Sequence, residues 1–408
     1  MKEVAAPDGQ VILCLNSGSS SVKLALFGLG EKETLLARGA VERIGQQNGR
    51  LFVRGPAGEM LIDQAGDSID HKNAVLAILA AFRQLRLPRP AAVGHRVVHG
   101  GTKYASPALV DAPLLDTLRR LIPFAPLHLP GAIIGIESVA SQFPGIVQVA
   151  CFDTAFHRRM PEINQRFPLP RFLFDQGIRR YGFHGLSYEY IVSVLGPAAQ
   201  GRLIIAHLGH GASMAAVLDG RPLDTTMGLT PTGGFMMGTR CGDLDPGIVL
   251  YLMQEQGYSP ARINALVNHQ SGLLGVSGMS SDMKTLLAKS ITDPHARQAV
   301  EMFCQLLRKH IGALAAVLGG VDTFVFTGGI GEHGASVRWM VCQGLAHLGI
   351  HLDAERNTNH ADIISSGQSS CQVRVIPTNE DLMIARHTLQ VVSHTQNINE
   401  KNSSRDIV

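Results

Sequence analysis

Short apolar runs rich in β-branched residues alternate along the chain with stretches whose apolar positions recur every three to four residues. "QVILCLN" from Gln10, "AAVGHRVVH" from Ala91, "GIVQVACFD" from Gly145, "GRLIIAHLG" from Gly201, "DTFVFTGG" from Asp322 and "QVRVIPT" from Gln372 read as strands. "HKNAVLAILAAFRQL" from His71 and "QAVEMFCQLLRKHIGALAAVL" from Gln298 read as helices. Such alternation predicts an α/β protein. Two stretches share one layout of strand, Gly/Ser turn and strand: Val11 to Phe27, and Arg202 to Leu218, "RLIIAHLGHGASMAAVL". That similarity suggests a duplicated half carrying a phosphate-facing hairpin in each copy. The polar, aperiodic end predicts a disordered tail over 394–408.

A chain of 408 residues is long for one core and predicts two large lobes. The 36 Lys plus Arg against 33 Asp plus Glu leave a net charge of +3 without a basic block, which argues against nucleic acid as a partner. The longest apolar runs, such as "AVLAILAAF" from Ala74, fall short of the roughly 18 to 20 residues of a membrane span, and the start "MKEVAAPDGQ" does not read as a secretory signal. The six cysteines are scattered with no C-x-x-C pair, against a zinc site or a disulfide framework. A reducing cytoplasm is the expected location.

The chemistry gathers at a few turns. "NSGSSSVK" from Asn16 supplies hydroxyls and, at Gly18, close backbone access, suited to phosphate oxygens; an ordinary hairpin turn has the same composition. Arg96 stands in an apolar strand, where a guanidinium is costly unless it meets an anion. It is a candidate clamp for a carboxylate or phosphate, or one half of a structural salt bridge. The Gly- and Pro-rich stretch Met227 to Gly247 carries Arg240 and Cys241 and reads as a binding loop. Two arginines from distant segments suit a phosphoryl group in transfer. Asp153, His157 and His184 end strand-like or loop segments, with His184 among aromatic neighbours that favour a desolvated donor and His157 reading as structural. Gly329, Gly331 and Gly334 fit G-x-G-x-x-G after a strand, with Asp353 at the distance of a ribose-binding acid, so an NAD-dependent dehydrogenase is a rival reading. Too few residues follow for the rest of a dinucleotide fold, and an ATP-holding turn satisfies the same physics. Glu380 opens a helix, either as a dipole-favoured acid or as an oxygen ligand of magnesium.

In chain order, "NSGSSSVK", "GHRVVHGG", "PLHLPG", "FDTAFH", "YGFHGLS", "HLGHGAS", "TPTGGFMMGTRCGDLDPG", "SGMSSDMK", "FTGGIGEHG" and "PTNEDLMIAR" closely resemble the acetate kinase family, from about Val11 to Arg386. The resemblance implies the actin, sugar kinase and Hsp70 superfold: two lobes, each a five-stranded mixed sheet with flanking helices, with ATP between them. It divides the chain into an N-terminal lobe over 1–153, completed by a helix at about 381–393, and a C-terminal lobe over 154–380 with the nucleotide site and dimer interface. It implies a magnesium-dependent, reversible transfer from ATP to acetate in a homodimer, with manganese as a substitute metal. Arg96 and Arg240 then bind the acyl substrate and the phosphoryl group, His184 stabilises an equatorial oxygen, and Asp153 matches the essential aspartate. Asn16 and Glu380 place magnesium. Val98, Leu127, Phe183 and Pro231 line the pocket for the methyl group, with His128 and His207 near the phosphates. The nucleotide is met by Ser19, Ser21 and Lys23, by Leu208, Gly209, His210 and Gly211, with the Gly209 to Ser213 turn facing the phosphate chain, by Asp282, Met283 and Lys284, and by Gly329, Ile330 and Gly331.

A carboxylate acceptor is ionised at neutral pH, so transfer to it asks for positioning and charge neutralisation rather than a base. Val98 is bulky enough to favour acetate; propionate kinase of the same family is the near alternative. An actin-like assembly or chaperone module is a further one, but it has no need for two arginines at a small carboxylate. Three residues depart from the family pattern: His210 for an asparagine, Lys284 for an arginine that stacks on adenine, and His333 for an asparagine.

Overall fold

The computed structural model describes residues 9–18, 21–66 and 69–403. The chain divides into two compact units, Met1–Ala155 with Asn379–Val408, and Phe156–Thr378. In the first unit, β1 (Gln10–Ser17), β2 (Ser21–Leu29), β3 (Glu33–Glu42), β4 (Gly49–Arg54), β5 (Met60–Gly66), β6 (Ala92–Val97), β7 (Ala108–Leu109) and β8 (Val147–Phe152) form one sheet, in the order β5-β4-β3-β2-β1-β6-β8-β7. In the second, β9 (Arg202–Leu208), β10 (Ala212–Leu218), β11 (Arg221–Thr225), β12 (Thr323–Thr327) and β13 (Gln372–Val375) run β11-β10-β9-β12-β13.

The two sheets repeat one plan. A meander of three antiparallel strands, β1-β2-β3 or β9-β10-β11, is followed by two strands parallel to its first member, β6 and β8 or β12 and β13. The paired stretches singled out in the sequence are β1-β2 and β9-β10, so the duplication is one of topology. The expected five-stranded sheet is complete in the second unit. In the first it is enlarged to eight strands by the β4-β5 hairpin on one edge and the short β7 on the other.

Buried runs explain the central strands. β1 and β9 keep five or more consecutive or near-consecutive residues out of solvent, as strands covered on both faces require. The helices His71–Gln84 and Leu129–Gln142 cover one face of the first sheet, where Ile78, Leu79 and Phe82 pack with Leu13, Leu24 and Leu26. The former begins at Asp70, whose carboxylate accepts the Asn73 N–H at 2.7 Å. The helix Glu380–Ser403 lies on β1, β6 and β8. It approaches so closely that a Cβ on Gly94 would collide with Thr388 Oγ1 and Ile384. This helix passes the expected end at 393 and runs to Ser403, so the disordered tail expected from 394 is helical over its first ten positions. Its end at 404–408 lies outside the described residues. In the second unit the helix Gly185–Leu195 lays Tyr188, Ile191 and Leu195 on Leu203, Ile205, Ala215 and Val325. The 25-residue helix Pro294–Leu318 packs on β9, β10 and β11.

Candidate functional site

Parallel strands gather chemistry at their carboxyl ends, because the chain leaves the sheet there in loops free to vary. In the first unit β1, β6 and β8 end side by side and bring together Asn16, Arg96 and Asp153. Arg96 Nε donates to both Asp153 carboxylate oxygens at 3.0 and 3.1 Å, and Nη2 donates to Oδ2 at 2.7 Å. Nη1 reaches Asn16 Oδ1 at 3.4 Å and lies 3.7 Å from Glu380 Oε2. The Asp153 side chain is 1% exposed and that of Arg96 18%, so this is a desolvated fork-to-carboxylate pair with one edge of the guanidinium still open. Burial alone lowers the pKa of Arg96, but the carboxylates of Asp153 and Glu380 outweigh it and hold the guanidinium firmly charged. Burial pushes the Asp153 carboxyl upward, against the pull of Arg96. Arg96 is therefore one half of a structural salt bridge, the first of the two alternatives that its position in the strand left open, and keeps an edge of its guanidinium exposed.

Around this pair, the Asp153 N–H is bonded to Val97 O at 3.0 Å, and the Gly100 N–H to Thr154 Oγ1 at 3.1 Å. Val98 is buried, while Leu127 and His128 sit half-buried at the start of the helix Leu129–Gln142. The β1-β2 turn is pinned by Gly18 N–H to Ser21 O at 2.8 Å and by His71 Nε2 to Gly18 O at 2.8 Å. Lys23 faces solvent on β2 opposite Asn16. Ser17 Oγ is buried with no hydrogen-bond partner among the described residues. Ser19 lies outside the described residues.

In the second unit the corresponding strand ends are those of β9 and β12. His184 opens the helix Gly185–Leu195 in the left-handed region, φ 57°, a conformation costing about 1 kcal/mol or more in a non-glycine residue. Its Nδ1 hydrogen-bonds Ser213 Oγ at 2.8 Å, and Ser213 in turn meets the Tyr188 hydroxyl. The His184 ring stacks on His207, centroids 4.3 Å apart, and His207 Nδ1 bonds Ser187 Oγ at 2.9 Å. A Cβ built on Gly211 would stand 3.4 Å from both His184 Nε2 and Arg240 Nη1, so glycine keeps open the space that these two groups face. Arg240 Nη1 also donates to Pro231 O at 3.0 Å. Phe183 is buried and Pro231 half-buried.

Ser213 is fully buried behind His184, so it orients that imidazole instead of facing phosphate as the sequence reading had it. His157, buried, bonds Phe183 O through Nε2 at 2.9 Å, and burial lowers its pKa to about 4. It stays neutral and braces the backbone beside His184. Gly182, at φ 72°, passes so close to the His157 ring that no Cβ fits.

Leu208, Gly209 and Gly211 form the turn after β9, and Gly328, at φ 74°, lies against the Leu208 backbone. The turns after β9 and β12 are thus adjacent. The helix Gly328–His333 follows β12, with Gly329 exposed, Ile330 half-buried and Gly331 buried. Glu332 Oε1 accepts the N–H groups of Gly328 at 2.9 Å and Thr378 at 3.2 Å. Exposed His210 lies beside Gly238, whose other neighbour is Ser281 O. Its pKa is lowered, by the surrounding protein first and by Arg240 second. Asp282 caps the helix Met283–Lys289 by accepting from Thr285 N at 2.9 Å and Oγ1 at 2.7 Å; Met283 is buried and Lys284 exposed. Asp353 is likewise a helix cap, accepting from Arg356 N at 2.9 Å. The glycine motif does follow a strand and open a helix, but in a five-stranded sheet with the antiparallel hairpin β10-β11 along one side and, among the described residues, only β13 beyond it in sequence, which removes the dinucleotide-fold reading.

The sequence reading missed Thr154, Ser187, Tyr188, Glu332 and Arg338, and gave His157 only a structural part without its partner. Their bonding is set by tertiary neighbours, and spacing carries no signal for it.

Comparison with known proteins shows the family to which the chain is similar. The model of the Acetokinase family matches residues 11–386. A Methylocella silvestris protein named acetate kinase is 47% identical over 398 residues, covering 93% of this chain and 98% of its own. A Rhodopseudomonas palustris protein of the same name is 46% identical over 389 residues, with 92% of this chain and 97% of its own covered. The crystal structure of Porphyromonas gingivalis acetate kinase superposes with a TM-score of 0.84 at 38% identity, over 94% of this chain and 100% of that one. That of a propionate kinase from Francisella tularensis gives 0.88 at 36%, with the same two shares covered.

Proposed function

Because the chain belongs to the acetokinase family, and is therefore a kinase, we propose that it transfers the γ-phosphoryl group of ATP reversibly to acetate. The observation that carries this reading is Arg96, a charged guanidinium fixed by a buried carboxylate with one edge left open at the ends of three parallel strands. That edge suits a small carboxylate. An oxygen of acetate attacks the γ-phosphorus in line, the bond from phosphorus to the bridging oxygen of ADP breaks, and no proton moves, because the nucleophile is already ionised. Asp153 holds the Arg96 fork in place. Arg240 neutralises charge on the phosphoryl group in flight, and His184, its other nitrogen tied to Ser213, turns Nε2 toward an equatorial oxygen.

Magnesium bound with ATP takes few protein ligands, usually one or two carboxylates with phosphate and water. Asn16 Oδ1 and Glu380 Oε2, which both lie within 3.7 Å of a single Arg96 nitrogen, form a hard-oxygen set that fits it, directly or through water. Bound there, the metal would neutralise phosphate charge, and manganese is expected to substitute. Ser21, Lys23 and His128, with His207, Gly209 and His210, serve the phosphates. The turn Gly329–Gly331 and the segment Asp282–Lys284 serve adenosine, which makes the unit Phe156–Thr378 the nucleotide-binding lobe. His210 and Lys284, where the family shows other residues, act on nucleotide affinity and not on the reaction type.

The test is acyl phosphate formation from Mg-ATP with acetate, propionate or butyrate, trapped with hydroxylamine. Strong acetate-dependent trapping supports the reading, and folded, ATP-binding protein that yields none with any acid overturns it. Val98, buried at the end of β6, is the residue that by family resemblance sets the room for the methyl group. Val98→Ala is expected to raise kcat/KM for propionate relative to acetate by about 10-fold, the worth of one methylene; an unchanged ratio removes Val98 from the acyl pocket.

The protein is read as a homodimer. The helix Pro246–Gln254 is built of apolar residues yet buries none of them, and Ile248, Leu250 and Tyr251 are half exposed, an unpartnered face of the kind that marks an interface. Leu250→Glu is expected to shift the mass measured by light scattering from dimer toward monomer; a dimer of unchanged affinity would place the interface elsewhere. Among the described residues no helix is long and apolar enough to cross a membrane; a reducing cytoplasm stays the proposed location.

A further inference from the structure

Arg338 is a fully buried arginine that the chemistry above does not use. A guanidinium carries five N–H donors, and here all are engaged by neutral acceptors. Nη1 donates to Gly331 O at 2.8 Å and Glu332 O at 2.9 Å. Nε donates to Asn357 Oδ1 at 2.8 Å, and Nη2 to Asn357 O at 2.7 Å and His360 Nδ1 at 3.1 Å. Among the described residues no carboxylate pairs with it, and burial lowers its pKa to about 10, so it remains a cation at neutral pH. Its charge rests on carbonyls at the C-terminal ends of two short helices, Gly328–His333 and Ala354–Thr358, where the backbone dipole is negative. Asn357 completes the tie by donating from Nδ2 to Ala335 O at 2.9 Å.

We propose that Arg338 is a positioning residue for the nucleotide: by joining the ends of these two helices it fixes the Gly328–His333 turn in the shape that receives adenosine. The inference rests on the reading of Gly329–Gly331 as the adenosine turn. It requires that loss of the fork weaken ATP while leaving acetate binding and phosphoryl transfer nearly intact. A lysine keeps the charge but at most three donors and no fork.

The chain holds one tryptophan, Trp339, next to Arg338, so its fluorescence offers a titration of ADP that does not depend on turnover. In Arg338→Lys the ADP dissociation constant and the ATP KM are expected to rise about 10-fold, with kcat and the acetate KM within about threefold of the parent. Asn357→Ala is expected to move the same quantities in the same direction by less, and serves if the arginine variant does not fold. Gly329→Ala tests the underlying reading separately. Gly329 is exposed and a Cβ there meets nothing within 4 Å, so a weaker ATP KM in this variant reports adenosine and not a distorted turn. If Gly329→Ala weakens ATP and Arg338→Lys leaves nucleotide affinity within twofold, the positioning role is wrong and the adenosine turn stands. Equal losses for ATP and acetate in Arg338→Lys also overturn the role, since they mark general damage. If Gly329→Ala has no effect, the adenosine reading falls and the role with it.

Discussion

Arg96→Ala is expected to lower kcat for acyl phosphate formation by about 10³-fold or more, a loss of the size seen when a charge-stabilising group is removed from a desolvated site. Stability is expected to fall with it. Asp153 is 1% exposed, and deleting its partner leaves a buried carboxyl uncompensated, at a cost of about 3–5 kcal/mol. The two effects separate in a double variant. Arg96→Ala with Asp153→Ala removes the orphaned charge, so the melting temperature should recover in part while activity stays lost. Arg96→Lys should give an intermediate melting temperature and little activity, because a point charge cannot hold both carboxylate oxygens and a substrate together. Trapping with hydroxylamine beside thermal melts decides the matter. An Arg96→Ala enzyme within tenfold of the parent would reduce Arg96 to a structural ion pair.

The second large effect is expected at Arg240. Arg240→Ala should reduce kcat by about 10²- to 10³-fold with a smaller loss of melting temperature than Arg96→Ala, because this guanidinium is half-buried and bonded to the Pro231 carbonyl, whereas Arg96 holds a carboxylate that is 1% exposed. The contrast with Arg96 is the diagnostic part, since both arginines are proposed to meet the same phosphoryl transfer, while Arg96 is paired with the buried Asp153 carboxylate. Steady-state kinetics locate the loss. A fall in kcat and kcat/KM together marks an interaction made in the transition state, whereas a rise in KM alone marks uniform binding and would remove Arg240 from the transfer step.

How far these residues were legible in the sequence differs from one to the next. β1, β6, β8, β9 and β12 stood out because strands covered on both faces are continuous apolar runs. The meander β3-β4-β5 did not: β5 buries only one of its seven residues, so neither run nor alternation announces it. Arg96 and Asp153 were each identifiable as chemically active, yet their pairing depends on β6 lying beside β8 with Arg96 opposite Cys151, and partner choice of that kind is tertiary. Ser213 was placed on the correct turn with the wrong task, because a serine in a glycine-rich turn reads the same whether its hydroxyl points outward or to a histidine behind it. Asp353 had the spacing of a ribose ligand and proved to be a helix cap, a role any aspartate before a helix can take. Arg338, one cation in an otherwise ordinary helical run, gave no sign of its burial. The last helix was cut short at 393 because its polar composition beyond that point resembles a solvated tail.

The first unit is assembled from the two ends of the chain, and this has a consequence during synthesis. Its helix Glu380–Ser403 lies on β1, β6 and β8, tight enough at Gly94 to exclude a methyl group. Those three strands leave the ribosome early and wait while the whole intervening unit is made, roughly 220 residues or about 10 to 45 s at ordinary elongation rates. For that interval one face of an apolar parallel sheet lies bare. The contiguous middle of the chain can fold on its own as it emerges, so the half that begins first is finished last. A nascent chain interrupted before its final helix would expose a sticky sheet beside a finished partner, and handling such chains falls to the chaperones that attend the ribosome.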